Sequence, residues 1–132
     1  MKQEVTSREI RLTELAARSA DELEAFLNGL SQDAVLPKLD YHFLKHGARM
    51  GCSTMQEYEA AFLAHTQGLT LRYFTTIRGK DQARMWYTVD IRTGRIAQYN
   101  ETRQRYWTFY QVDDIQRHLT ERGVWWIEVR KR

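Results

Sequence analysis

Between Gly68 and Leu69 the spacing of apolar residues changes from the helical to the strand period, and this break limits the possible folds of the 132-residue chain more than any other feature. Helices repeat every 3.6 residues and strands every two, so the break predicts helices before it and a sheet after it. On the helical side, Ser19-Ala20-Asp21-Glu22 has the form of a capping box, and Leu23, Phe26, Leu27 and Leu30 follow at helical spacing, with Gly29 placed to stop the helix. Leu12, Leu15 and Ala16 continue the same face upstream, giving one long helix or two. Pro37 suits the first turn of a second helix that runs to about His46, with Leu39 and Phe43 on its apolar face and Gly47 as its C-cap. Thr54-Met55-Gln56-Glu57 is a second capping box, opening a helix that carries Tyr58, Ala61, Phe62 and His65 and ends near Gly68.

On the strand side, Leu69 to Arg78, Arg84 to Asp90, Arg95 to Tyr99 and Arg105 to Tyr110 are rich in aromatic and β-branched residues. Turns at Gly79–Gln82, Arg92–Gly94 and Asn100–Gln104 separate them. Asp113 is expected to cap a short helix with Ile115 and Leu119, ended by Gly123, before a last strand from Val124 to Val129. The pattern predicts one α+β domain over residues 1–132, with a helical half to about 68 and a sheet half from about 69. The N-terminal helices pack on one face of a twisted antiparallel meander of about four to five strands, with a short helix before the last one. A chain of this size buries about two-thirds of its unfolded surface, enough for a core without a disulfide or structural metal. The single cysteine, Cys52, rules out an internal disulfide and is expected as a small packing residue. No apolar run nears the roughly 20 residues that span a bilayer, and no signal-peptide pattern opens the sequence.

Charge divides along the same line. Residues 1–68 hold 7 Lys/Arg against 10 Asp/Glu, a net −3, whereas residues 69–132 hold 13 against 7, a net +6. An arginine-rich, one-sided basic surface suits phosphate contacts. A merely solvated charged sheet face is the plainer alternative. Arg72, Arg78, Lys80, Arg84, Arg92, Arg95, Arg103 and Arg105 crowd this small sheet, and alternation sends several of them to one face. Tyr73, Tyr87, Tyr99, Tyr106, Trp107 and Tyr110 are candidates for stacking on unpaired bases, although most aromatic strand residues belong to cores.

His42 and His46 are four apart on one helix face, beside Lys45 and Arg49. Two histidines at this spacing can bind zinc, but Phe43 stands where the zincin pattern needs glutamate and no third ligand is evident, so no metal or cofactor is expected. His46 falls in the last helical turn, where the dipole favours its cation and is expected to hold its pKa near neutrality. RNA cleavage without metal needs a base for the 2′-hydroxyl, an acid for the departing 5′-oxygen and donors for the charged phosphorane. Imidazoles, guanidiniums or ammoniums, and Thr or Tyr hydroxyls meet those needs.

The run Tyr41-His42-Phe43-Leu44-Lys45-His46-Gly47-Ala48-Arg49-Met50-Gly51, then Thr54-Met55-Gln56-Glu57-Tyr58 and Ala61-Phe62, resembles the opening of the barnase–EndoU–colicin–RelE-like nuclease superfamily. Asp90 to Ala97 resembles that family's strand–turn–strand, and Tyr106-Trp107-Thr108-Phe109-Tyr110 its closing strand. The chain departs from the pattern at Met50, where the family has Phe, at Arg95-Ile96, where it has Glu-Phe, and in the helix and strand after Tyr110. The resemblance implies a metal-independent ribonuclease toxin domain, often acting on tRNA, delivered from outside and acting in the target-cell cytoplasm. It implies a cognate immunity protein, here expected to be acidic, and a monomer is expected. Carried onto this sequence, the family's functional positions are His46 or His42, one of Arg78, Lys80 and Arg84, Thr93, and Thr108 or Tyr110. Arg72, Lys80, Arg95, Thr108 and Tyr99 are the candidate RNA contacts. A non-catalytic RNA-binding or protein-binding module on the same fold is the alternative.

Overall fold

The structure, a computed structural model, describes residues 20–68, 71–77, 85–121 and 125–129, with backbone alone at 20–24, 72–77, 120 and 125–129. In chain order the elements are α1 (Ala20–Gly29), α2 (Leu39–His46), a 3-10 turn (Ala48–Met50), α3 (Met55–Thr66), β1 (Arg72–Ile77), β2 (Met85–Asp90), β3 (Arg95–Asn100), β4 (Arg105–Gln111), α4 (Ile115–Glu121) and β5 (Trp125–Val129). The chain is thus α+β, with several helices and an antiparallel sheet, as the periodicity predicts. Strands β2, β3 and β4 are the part of the sheet whose side chains are described. Along the backbone, β1 pairs antiparallel with β2, and β5 with β1. Ser19, Gly123, Val124, the Gly79–Gln82 turn and the upstream Leu12, Leu15 and Ala16 lie outside the described residues.

Register decides which side chains share a face, because directly opposed residues point the same way. Thr88 opposes Ala97, and Ala97 opposes Phe109. This face meets the helices of the first half. Trp86 packs with Leu27 of α1 and with Leu30 just after it, while Ala97 and Phe109 pack with Tyr58 and Phe62 of α3. Val89 opposes Ile96, and Ile96 opposes Tyr110, on the other face. There Tyr87, Val89, Ile96 and Tyr110 gather around Leu119 of α4. Helices therefore cover both faces, which corrects the one-faced packing expected from sequence. The four successive buried residues Trp86 to Val89 show why: such a run needs an apolar cover on each side.

The helix ends follow local chemistry. At α3 the capping box forms in full: the Thr54 hydroxyl accepts from the Glu57 amide at 3.1 Å, and the Glu57 carboxylate accepts from the Thr54 amide at 3.0 Å. At α2 the start lies later than expected. Pro37 precedes the helix, and Lys38 at its N-cap is left-handed, φ 54°. Gly47 follows α2 as expected but stays right-handed, and the chain runs on into the 3-10 turn until Gly51, at φ 75°, reverses it. Gly47 is glycine because a Cβ there would strike the ring and carbonyl of Phe43. At α4 the cap is Asp114, whose carboxylate accepts from the Arg117 amide at 3.0 Å. Asp113, the expected cap, pairs instead with Arg49 at 2.9 Å, joining the 3-10 turn to the start of α4.

Candidate active site

Helix α2 lies against β4, and its two histidines face the sheet side that carries Thr108 and Tyr110. A groove of about 420 Å³ runs there, lined by His42, Lys45 and His46 of α2, Gln98 of β3, Thr108 and Tyr110 of β4, and His118 of α4. Helix α2, distant in sequence, and the consecutive elements β4 and α4 each bring an imidazole or a hydroxyl to one surface. Alternation explains the sheet's contribution: Gln98 opposes Thr108 and Ile96 opposes Tyr110, so Gln98, Thr108 and Tyr110 share a face.

Thr108 sits between the two α2 imidazoles. Its Oγ1 lies 3.3 Å from Nδ1 of His42 and 3.5 Å from Nε2 of His46. The rings themselves are nearly parallel, 10° apart in plane with centroids 6.2 Å apart. His42 is buried and His46 half-buried, so His46 is the more open to a substrate. Burial lowers the pKa of both. Lys45 and Lys38 push His42 further down, against Asp40 and a hydrogen bond with the Trp107 backbone, which raise it. Lys45 and then His42 do the same to His46. Burial and neighbouring cations thus outweigh the helix dipole that the sequence suggested, and both rings are neutral, proton-accepting bases at neutral pH.

Across the groove a hydrogen-bond chain ends in a third histidine. Gln98 Nε2 donates to the Tyr110 hydroxyl at 2.8 Å, and that hydroxyl meets His118 Nε2, also at 2.8 Å. The ring of Tyr110 lies 5.6 Å from that of His46, so it adjoins both histidine sets. Sequence reasoning missed His118 and Gln98. Ile115, His118 and Leu119 fall at i, i+3 and i+4, which places His118 on the apolar stripe of α4, and that was the available signal.

Other predicted residues lie elsewhere. Thr93 accepts from the Arg95 amide at 3.2 Å, closing the β2–β3 turn, and lines a separate depression with Arg92 and Gln111. Arg95 is held by Gln111 at 3.2 Å and the Met50 carbonyl at 3.4 Å, which ties β3 to the 3-10 turn and keeps its guanidinium out of the groove. Tyr99 opposes Trp86 on the α1 face and packs on Phe26 and Tyr106, with burial and then Glu101 raising its pKa. Arg78, Lys80 and Arg84 lie outside the described residues, and Arg72 is described by backbone alone, opposite Val89. Of the described residues lining the groove, Lys45 is its one lysine or arginine. Among the described residues, no three His, Cys, Asp or Glu side chains gather as a metal site, and no helix is long and apolar enough to cross a membrane. Compared with protein-family models, curated proteins and solved structures, the chain has no match.

Proposed function

We propose that the chain is a metal-independent endoribonuclease toxin domain that cleaves RNA by transesterification, leaving a 2′,3′-cyclic phosphate. The observation that carries this reading is the shared groove: two neutral imidazoles, His42 and His46, face a Tyr110 hydroxyl linked to His118, with Thr108 between. In this reading His46, the more open imidazole, takes the proton from the 2′-hydroxyl. The freed 2′-oxygen attacks phosphorus, and the bond to the 5′-oxygen breaks. Tyr110 supplies the proton that this oxygen takes up. His118, whose Nε2 lies 2.8 Å from the Tyr110 oxygen, then relays a proton from solvent that reloads the hydroxyl. Lys45, Thr108 and Gln98 offer cation and donors to the non-bridging oxygens of the phosphorane. His42, held between the Thr108 hydroxyl and the Trp107 backbone, orients that hydroxyl.

The reading takes β1 to β4 with β5 as a four- to five-stranded meander, and assigns phosphate binding to Arg78 and Arg84, which lie outside the described residues. It also takes a tRNA or other structured RNA as substrate and an acidic immunity protein as the partner that covers the groove. One observation favours the alternative of an RNA-binding module without catalysis: Arg95 is committed to Gln111 and Met50 and does not reach the histidines. Incubating the purified protein with total RNA in EDTA separates the two. Cleavage that persists and leaves 2′,3′-cyclic ends is expected; RNA that is bound but intact overturns the enzyme reading.

A further inference from the structure

The histidine groove does not end at His42. A second depression, of about 340 Å³, adjoins it and shares Tyr41, His42 and Trp107 with it, while Lys38 and Arg105 line the far part. Two large aromatic side chains border this trough in the open: Tyr41 is 53% exposed and Trp107 48%. Neither belongs to the core, and the chain departs from regular structure to place what surrounds them. In β4 the register shifts by one residue. Tyr106 opposes Tyr99 and Thr108 opposes Gln98, so Trp107 stands as an extra residue between the two pairs. An inserted residue breaks the alternation that would otherwise govern its direction. Lys38 in turn sits at φ 54°, a left-handed conformation that a lysine adopts only at a cost. Its ammonium is close enough to His42 to lower that ring's pKa. Such departures mark places where a side chain's position outweighs backbone comfort.

We infer that the trough is a nucleotide-binding subsite for single-stranded RNA next to the scissile phosphate. One unpaired base stacks on Trp107 or Tyr41, and its phosphate is held by Lys38 and Arg105. This inference rests on the ribonucleic-acid reading above but not on catalysis. Aromatic stacking tolerates any base, because every base offers a π-face, so the subsite selects for unpaired strand and not for sequence. The cations at the far end fix the direction in which the strand leaves the histidines. His42, common to both depressions, links the two.

Two substrates test it. A dinucleoside monophosphate reaches only the histidine groove; a hexaribonucleotide with the same scissile step also fills the trough. Trp107→Ala and Arg105→Gln are expected to lower kcat/KM on the hexamer on the order of tenfold more than on the dimer. Equal losses on both substrates, or no loss on either, overturn the subsite. A hexamer with a 2′-deoxy residue at the scissile position isolates binding from chemistry, so the subsite is decided even if the protein cleaves nothing. There the same variants are expected to weaken the saturable quenching of tryptophan fluorescence or the anisotropy of a labelled strand. Unchanged affinity, or no binding by the wild type, overturns it. Lys38→Gly separates placement from stability: relief of the left-handed backbone raises Tm while affinity for the uncleavable hexamer falls. Unchanged affinity alongside the raised Tm removes Lys38 from the subsite.

Discussion

His42 and His46 lie one helical turn apart on the same helix, yet their surroundings separate their roles. His42 is closed in between Thr108 and the Trp107 backbone, whereas His46 opens onto the groove. His46→Ala is therefore expected to reduce kcat/KM on RNA by roughly 10²–10⁴-fold with an unchanged circular dichroism spectrum. Undiminished cleavage by that variant removes His46 from the chemistry. The lowered pKa of both rings has a kinetic signature. The base must be unprotonated, so activity falls only below its own pKa, and the acid limb of the kcat/KM profile lies below the ordinary imidazole value of 6.5. Burial is the larger cause and Lys45 the second for each ring. Lys45→Glu replaces a repelling cation with an attracting anion and is expected to move that limb to higher pH. A limb that stays in place shows that burial alone sets it. At this scale the sequence was informative about α2, whose histidines share a face through spacing alone. It put His118 on the apolar stripe of α4 but did not show its partner, because nothing local links that histidine to a tyrosine eight residues earlier on β4.

Among the elements, those set by neighbours in sequence were the legible ones. The α3 capping box needs only Thr54 and Glu57, three residues apart, and forms as read. Asp113 and Asp114 are adjacent, and which of them caps α4 depends on Arg49, 64 residues away from the aspartate it recruits. The register shift in β4 was illegible for the same reason: a strand's extra residue is defined only against its partner. So was the fate of Arg95, which alternation could send to a face but not to the Met50 carbonyl. The β2–β3 turn shows how firmly one position holds the strands. Gly94 has φ 78°, its carbonyl accepts from the Val112 amide at 2.9 Å, and an added Cβ would run into the Val112 carbonyl oxygen. Gly94→Ala is expected to cost about 2–3 kcal/mol, from both the left-handed backbone and the displaced end of β4. Chemical denaturation measures it, and a loss below about 0.5 kcal/mol shows that the turn yields freely.

For the molecule as a whole, the two layers meet through a histidine that does no chemistry. His65 of α3 is buried, and its Nε2 lies 3.0 Å from the Thr88 carbonyl, an acceptor that fixes the proton on that nitrogen. Its Nδ1 is buried with no hydrogen-bond partner among the described residues. Burial lowers its pKa from 6.5 to about 4, against a backbone hydrogen bond that raises it. The folded state therefore resists a proton that the unfolded chain accepts. Stability is complete above about pH 6.5 and is lost as pH falls toward 4, by about 3 kcal/mol for this group. Urea midpoints at pH 7 and pH 4.5 are expected to differ far less in His65→Gln than in the wild type. An equal difference places the acid sensitivity elsewhere. The α+β layout was readable at this scale because the change of period divides the chain. The cover on the second face was not, since Leu119 and Ile115 show a stripe without showing which side of the sheet receives it.

That interior imidazole also ties the cohesion of the two halves to proton concentration. Acid weakens the fold through a contact that stitches α3 to β2, since a proton on His65 is taken up more readily once that contact is lost.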